Sequence, residues 1–146
     1  MSSRTTTAPD QQAPRRRLIP LEPDEALRLL ATVEVGRIVF TQRALPAIRP
    51  VNHLVADGLI IIRTRSLHTL STAVGESRDP VVAYEADQLD PLERTGWSVV
   101  VTGYAHQVTD AQDVARYGEA LVPWIDAEMD EVVSIVPQLV SGFRLA

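Results

Sequence analysis

The stretch RPVNHLVADGLIIIRTRSLHTL, residues 49–70, decides the fold. Asp57-Gly58 separates two runs of β-branched and aliphatic residues, the strongest short-range signal for a tight hairpin turn. The spacing predicts antiparallel strands over AIRPVNHLVA (47–56) and LIIIRTR (59–65). Period two puts Leu59, Ile61, Arg63 and Arg65 on one face of the second arm, and Ile60, Ile62 and Thr64 on the other. Two guanidinium groups thus emerge at the strand end, beside Ser66, which can cap a short helix over SLHTLSTAV (66–74). Arginine's planar fork matches a phosphate in bidentate fashion, and free amides at a helix start add donors. The corner suits a phosphate monoester; two solvated arginines paired with nearby acids fit the same spacing.

On the first arm, Pro50 cannot donate to a ladder, so its strand is expected at an edge or with a bulge. Backbone groups left open there suit the edge of a planar heterocycle, with Asn52 offering both a donor and an acceptor. The competing reading has Asn52 and His53 simply facing water.

Outward from the hairpin, further strands are predicted over GRIVFTQ (36–42), VVAYEA (81–86), WSVVVTGYAHQV (97–108) and LVSGFRL (139–145). Gly103 is well placed for the bend a closed sheet needs. A helix is expected over EPDEALRLLATVEVG (22–36), with Pro23 at its first position, Asp24 and Glu25 against its dipole and Gly36 at its end. Ala26, Leu29, Leu30 and Val33 share one face of it. Thr109 or Asp110 can cap a helix over AQDVARYGEALV (111–122), and DAEMDEVVSIV (126–136) is read as another. The carboxylates of the acidic stretch YEADQLDPLERTGW (84–97) could form an acid/base pair, but the stretch is read as a solvated connection, with Asp90-Pro91 starting a turn. Six strands joined mainly in sequence order favour a mainly β fold, a small antiparallel barrel with flanking helices, over a doubly wound sheet.

The 146 residues suit one domain. Residues 1–17, polar and carrying four arginines against one aspartate, read as a disordered tail, leaving 18–146 as the domain. The remaining chain holds ten arginines against eighteen acids, which makes nucleic acid an unlikely partner. With neither a secretory stretch nor a membrane-length apolar run, the chain is expected to be cytoplasmic. It has no cysteine, which excludes thiolate chemistry and cysteine-ligated metals. Every basic residue besides histidine is arginine, which removes lysine Schiff-base catalysis and the Gly-Lys phosphate loop. His53, His68 and His106 lie in separate segments without metal-ligand spacing, so no metal is expected. Ser98 follows Gly96-Trp97 within a strand rather than a nucleophile elbow.

The ordered series GRIVF, IRPVNHLVADG, IIIRTRS, VVAYEAD and TGWSVVVTGYAHQVTD resembles the pyridoxamine 5′-phosphate oxidase-related, FMN-binding split-barrel family. The likeness spans about residues 20–146 and is nearer to the small actinobacterial-type members than to the vitamin-making oxidase. It implies a six-stranded Greek-key split barrel that pairs as a homodimer, with two flavin sites at the subunit interface. Arg49, Pro50, Val51 and Asn52 would run along the isoalloxazine edge, largely through backbone. Ile62, Arg63 and Thr64 would reach the ribityl chain and phosphate, with Arg65 and Ser66 beside them, while Trp97 and Ser98 match a position contributed by the partner. Where the family usually has a lysine or arginine completing the phosphate clamp, this chain offers His68.

An imidazole with an ordinary pKa near 6.5 is only partly charged at neutral pH. Flavin affinity is accordingly expected to rise as pH falls from about 8 to about 6, and a flat titration with intact binding would remove His68 from the clamp. Near the C-terminus Arg144 is the one basic residue of LVSGFRLA, which leaves the substrate-phosphate pocket of the vitamin-making oxidase incomplete. The implied activity is a flavin oxidoreductase passing electrons or hydride to or from a small organic substrate, with FMN, or alternatively a deazaflavin, carrying the chemistry. A non-catalytic flavin binder or sensor, or a regulatory protein acting through the arginine tail, are the alternatives.

Overall fold

Asp57 and Gly58 take φ values of 53° and 74°, the left-handed pair that a two-residue type I′ turn needs to match the twist of its strands. The hairpin forms as the sequence predicts: β3 (Leu45–Ala56) and β4 (Leu59–Thr64) pair antiparallel from Ala56↔Leu59 to His53↔Ile62. The computed structural model describes residues 15–64, 79–122 and 131–146. Arg65, Ser66, His68, the expected helix over 66–74 and most of the N-terminal tail therefore lie outside the described residues.

Around the hairpin stand β1 (Leu18–Pro20), β2 (Val35–Gln42), β5 (Val81–Asp90), β6 (Thr95–Gln107) and β7 (Glu131–Leu145), with helices α1 (Pro23–Leu30) and α2 (Ala111–Ala120). The antiparallel order is β1-β7-β4-β3-β2-β5-β6, and β6 also pairs with β7, so six strands close into a barrel. The described strands number seven rather than six, because the three-residue β1 adds alongside the end of β7. Inward-facing Ile60, Ile62, Tyr84, Val99, Val101, Val133 and Ile135 fill the barrel, and Ala26 and Leu30 of α1 pack into the same core. Each such aliphatic side chain contributes roughly 1.5–3 kcal/mol on leaving water. On the outside of β4, Ile61 and Val132 are covered by Tyr117 and Leu121 of α2 and its C-cap.

Pro50 lies where its missing N–H costs nothing. Residues 45–52 of β3 pair with β2 and residues 53–56 with β4, so the strand changes neighbour between Asn52 and His53. At Gly103 the β6–β7 register shifts, and a Cβ there would stand 2.8 Å from the Val136 carbonyl carbon.

Three predicted elements are corrected. Helix α1 stops at its cap Ala31, not at Gly36: Thr32 and Val33 donate to the Leu29 and Leu30 carbonyls in a tightened last turn, and the β-branched Thr32, Val33 and Val35 are poor at continuing a helix. The helix expected over 126–136 is contradicted at its C-terminal half: Glu131–Val136 is strand, with Ile135 opposite Ile60 and Val133 opposite Ile62. There the β-branched Val132, Val133, Ile135 and Val136 prevail over the helix-favouring acids before them. The acidic connection is shorter than expected, since β5 runs to Asp90; its Oδ1 accepts from the amides of Leu92 and Glu93 at 2.9 and 3.1 Å. The ordered chain also begins before residue 18: Arg16 Nε donates to the Glu93 carbonyl, and Arg17 and Ala146 exchange backbone hydrogen bonds.

The β2–β3 turn carries a strain the sequence does not announce. Arg43 and Ala44 both take positive φ, 51° and 63°, a conformation that costs a non-glycine residue roughly 1–2 kcal/mol. Ala44→Gly is expected to stabilise the fold by about 1 kcal/mol, read as a higher urea midpoint at unchanged slope. No gain at the midpoint would mean that the turn is not strained.

Candidate functional site

The fork where β3 leaves β2 for β4 gathers most of the residues singled out by the sequence. Arg49, Pro50, Val51 and Asn52 sit on the stretch paired only with β2, so their other edge carries no strand partner among the described residues. Ile62, Arg63 and Thr64 lie just across the fork on β4, whose pairing with β3 ends at His53↔Ile62. Their side chains diverge, as period two requires. Ile62 is fully buried in the core and Thr64 faces the same way, so Ile62 can meet a ligand only through backbone. Arg63 points to the opposite side and donates from Nη1 to the Leu121 carbonyl at the end of α2, 3.2 Å away. Arg49 is exposed, its guanidinium 5.9 Å from the centre of the Phe40 ring. Glu131, opposite Thr64, keeps its Oε2 buried without a hydrogen-bond partner.

Trp97 and Ser98 are not at this fork. They stand on β6, three strands away: Ser98 pairs with Asp87 of β5, and β2 lies between β5 and the fork strand β3, a separation of roughly 15 Å. The indole is buried in its own barrel's core, while Ser98 faces outward beside Asp87. Its face of the sheet also carries Pro50 and Asn52, through the cross-strand pairs Arg37↔Pro50 and Val35↔Asn52. One copy thus holds two separated halves of the predicted site on one continuous surface.

His53 does not face water. It is 4% exposed, with Nε2 2.8 Å from the Leu30 carbonyl at the end of α1 and Nδ1 against the Tyr84 hydroxyl. A carbonyl only accepts, so Nε2 carries the proton and Tyr84 donates to Nδ1. Burial holds the His53 pKa below the ordinary imidazole value, with the Leu30 bond opposing weakly, and burial pushes the Tyr84 phenol up. The unfolded chain therefore takes up this proton first as pH falls through about 6.5; stability is complete above that and is lost toward the lower folded value. Thermal melts from pH 7.5 to 5 are expected to show this loss, and His53→Gln to be less stable at neutral pH but flatter across the range. An equal slope in the variant would put the acid sensitivity elsewhere.

Sequence reasoning missed two groups. Tyr84 lies 31 residues from His53, and no local pattern links them. Glu85 and Asp87 share the outer face of β5 with Arg37, whose Nη1 is 3.2 Å from Glu85 and 3.8 Å from Asp87. Glu85 is pushed up to about 7 by burial and by its hydrogen bond with Asp87, against the pull of Arg37. Alternation in VVAYEAD was the available signal. His106 pairs with Asp79 at 2.7 Å on the surface, and among the described residues no group of His, Asp and Glu is placed to hold a metal ion. None of the described helices is long and apolar enough to cross a membrane.

The likeness to known proteins spans this whole architecture. A profile of the family described as pyridoxamine 5′-phosphate oxidase matches residues 22–144. The uncharacterized Mycobacterium tuberculosis protein Rv0080 is 56% identical over 147 residues, covering 99% of this chain and 95% of that protein. A Corynebacterium glutamicum crystal structure, provisionally named a pyridoxamine 5′-phosphate oxidase, superposes with a TM-score of 0.73 at 32% identity, over 88% of this chain and 92% of that one. The FAD-binding protein of Mycobacterium smegmatis superposes with a TM-score of 0.69 at 30% identity, over 87% and 98%.

Proposed function

The chain belongs to the pyridoxamine 5′-phosphate oxidase family, and from that premise we propose that it is a flavin-binding oxidoreductase working as a homodimer, with FMN held between two copies. The reading rests chiefly on the β3 edge at Arg49–Asn52, which has no strand partner among the described residues and adjoins Arg63 and Thr64. That edge offers backbone donors and acceptors to a planar ring, and the β4 end offers a guanidinium and a hydroxyl to a phosphate. The residues present fit such a group. The bound flavin would supply the electron or hydride transfer, while the protein holds and orients it. Ser98, three strands from the fork in its own copy, would meet the flavin held at the fork of the paired subunit.

Arg144 is engaged with Glu25 at 2.8 Å, which supports an organic substrate other than pyridoxamine phosphate. The flavin bound by the Mycobacterium smegmatis relative is FAD, so the decisive measurement is the mass of the ligand released from the purified dimer on denaturation. FMN is expected. FAD or a deazaflavin would replace the cofactor but keep the pocket, and no flavin-like mass together with no binding of added FMN would overturn the proposal. Reduction by NADPH with turnover of an added acceptor separates an enzyme from a carrier.

A further inference from the structure

The β3 edge at Arg49–Asn52 is paired with β2 and with no other strand among the described residues. A stretch held by one ladder moves more easily than one held by two. His53, the next residue, donates its backbone N–H to the Glu34 carbonyl at 2.9 Å. Antiparallel pairing alternates, so Asn52 turns its own N–H and carbonyl the other way, toward the open edge. Side chains alternate as well: Val51 and His53 point into the barrel, and Asn52 between them points out. Both inward neighbours meet the same phenol. Tyr84, fully buried on β5, donates to Nδ1 of His53. Its oxygen also lies 3.4 Å from the Val51 carbonyl oxygen, a long second contact, since its single proton goes to His53. The two rings cross edge to face with centres 5.0 Å apart. Gly36, opposite Val51, has no Cβ to keep the phenol away, and Nε2 of His53 is anchored to the Leu30 carbonyl of α1.

We propose that Tyr84 and His53 are positioning residues for the ring of the bound flavin, fixing the Val51–His53 backbone so that Asn52 presents its N–H and carbonyl at one place on the open edge. The inference rests on the flavin reading above and adds the residues that shape the ring side of the site. Neither side chain touches the ligand. Both are enclosed in the core, and they act through the residues on either side of Asn52. A planar ring gains from donors and acceptors only when these are held at the right spacing before it arrives. Tyrosine suits the task because its ring is locked by packing and its one proton commits it to one partner. Histidine suits it because Nε2 gives its proton to Leu30, which leaves Nδ1 able only to accept. Each ring thus sets the orientation of the other. Through them the fork is tied to the end of α1 and to β5 as well as to its ladder with β2.

The test compares FMN affinity, read by quenching of flavin fluorescence, with the melting temperature of the ligand-free full chain. Tyr84→Phe keeps the ring and removes the hydroxyl. Its Kd for FMN is expected to rise about tenfold, and its melt to fall because Nδ1 of His53 is left without a donor. Ile135→Ala opens the core opposite Ile60, away from the fork end of β4. It should also melt lower, with the Kd for FMN unchanged within about twofold. The double variant Tyr84→Phe/His53→Leu leaves neither of the two groups unpaired, so it should regain part of the melt lost in Tyr84→Phe while binding FMN no better. Unaltered affinity in Tyr84→Phe, an equal loss of affinity in Ile135→Ala, or affinity that recovers with the melt in the double variant would each overturn the proposal. An unaltered chain that binds no FMN sinks the flavin reading and this inference with it, whereas FMN bound as tightly after Tyr84→Phe sinks this inference alone.

Discussion

Gly36→Ala is expected to lower the stability of the barrel by about 3 kcal/mol, at the upper end of what overpacking a core costs. A Cβ at this position would stand 2.5 Å from Cζ of Tyr84 and 2.6 Å from the Glu85 carbonyl oxygen. Neither neighbour can step aside. The tyrosine ring is fully buried and its hydroxyl is tied to His53, while the carbonyl is backbone of a strand paired on both sides. In a domain of this size the cost corresponds to a fall of roughly 6–12 °C in melting temperature. Combining it with Tyr84→Phe relieves part of the clash, so the double variant should be more stable than the two single losses added together. An unchanged midpoint for Gly36→Ala would mean that β2 and β5 are not held as closely as described.

Arg63→Ala carries the second large effect, on binding rather than folding. Losing one charge-assisted bond to a phosphate costs about 1.5–3 kcal/mol, roughly ten- to a hundred-fold in flavin affinity. The same change removes the donor to the Leu121 carbonyl, so some loss of stability accompanies it. Arg63→Lys separates the two roles. It restores a charge without the planar fork, and flavin affinity should recover part of the way while the α2 contact does not. Were Arg63→Ala to melt earlier yet bind flavin with unaltered affinity, its role would be only to anchor the end of α2.

The hairpin was legible in the sequence almost to the residue, because Asp57-Gly58 is a local signal and the turn it makes is a local structure. Pro50 likewise announced an edge, and Gly103 an irregularity. What was not legible depends on partners far along the chain. Nothing near His53 says that α1 ends against it, or that Tyr84 of a later strand donates to it. The stretch Glu131–Val136 looked helical from the acids before it, and only its place between β4 and β6 makes it a strand. Gly36 looked like a helix stop and is instead a point of close approach. Of the candidate site, the fork residues were picked out by motif and period two already set Arg63 and Thr64 on opposite faces, but that Arg63 donates to the Leu121 carbonyl and that Glu131 lies opposite Thr64 are products of the fold.

The exchange of neighbours at the Asn52–His53 peptide constrains how this fold can vary over evolution. One strand keeps register with two others at once, through Leu45–Asn52 on one side and His53–Ala56 on the other. Deleting or inserting a single residue anywhere along it throws one of the two ladders out of phase, turning its inward side chains outward. Length changes among related chains should therefore collect in the connections and spare this strand.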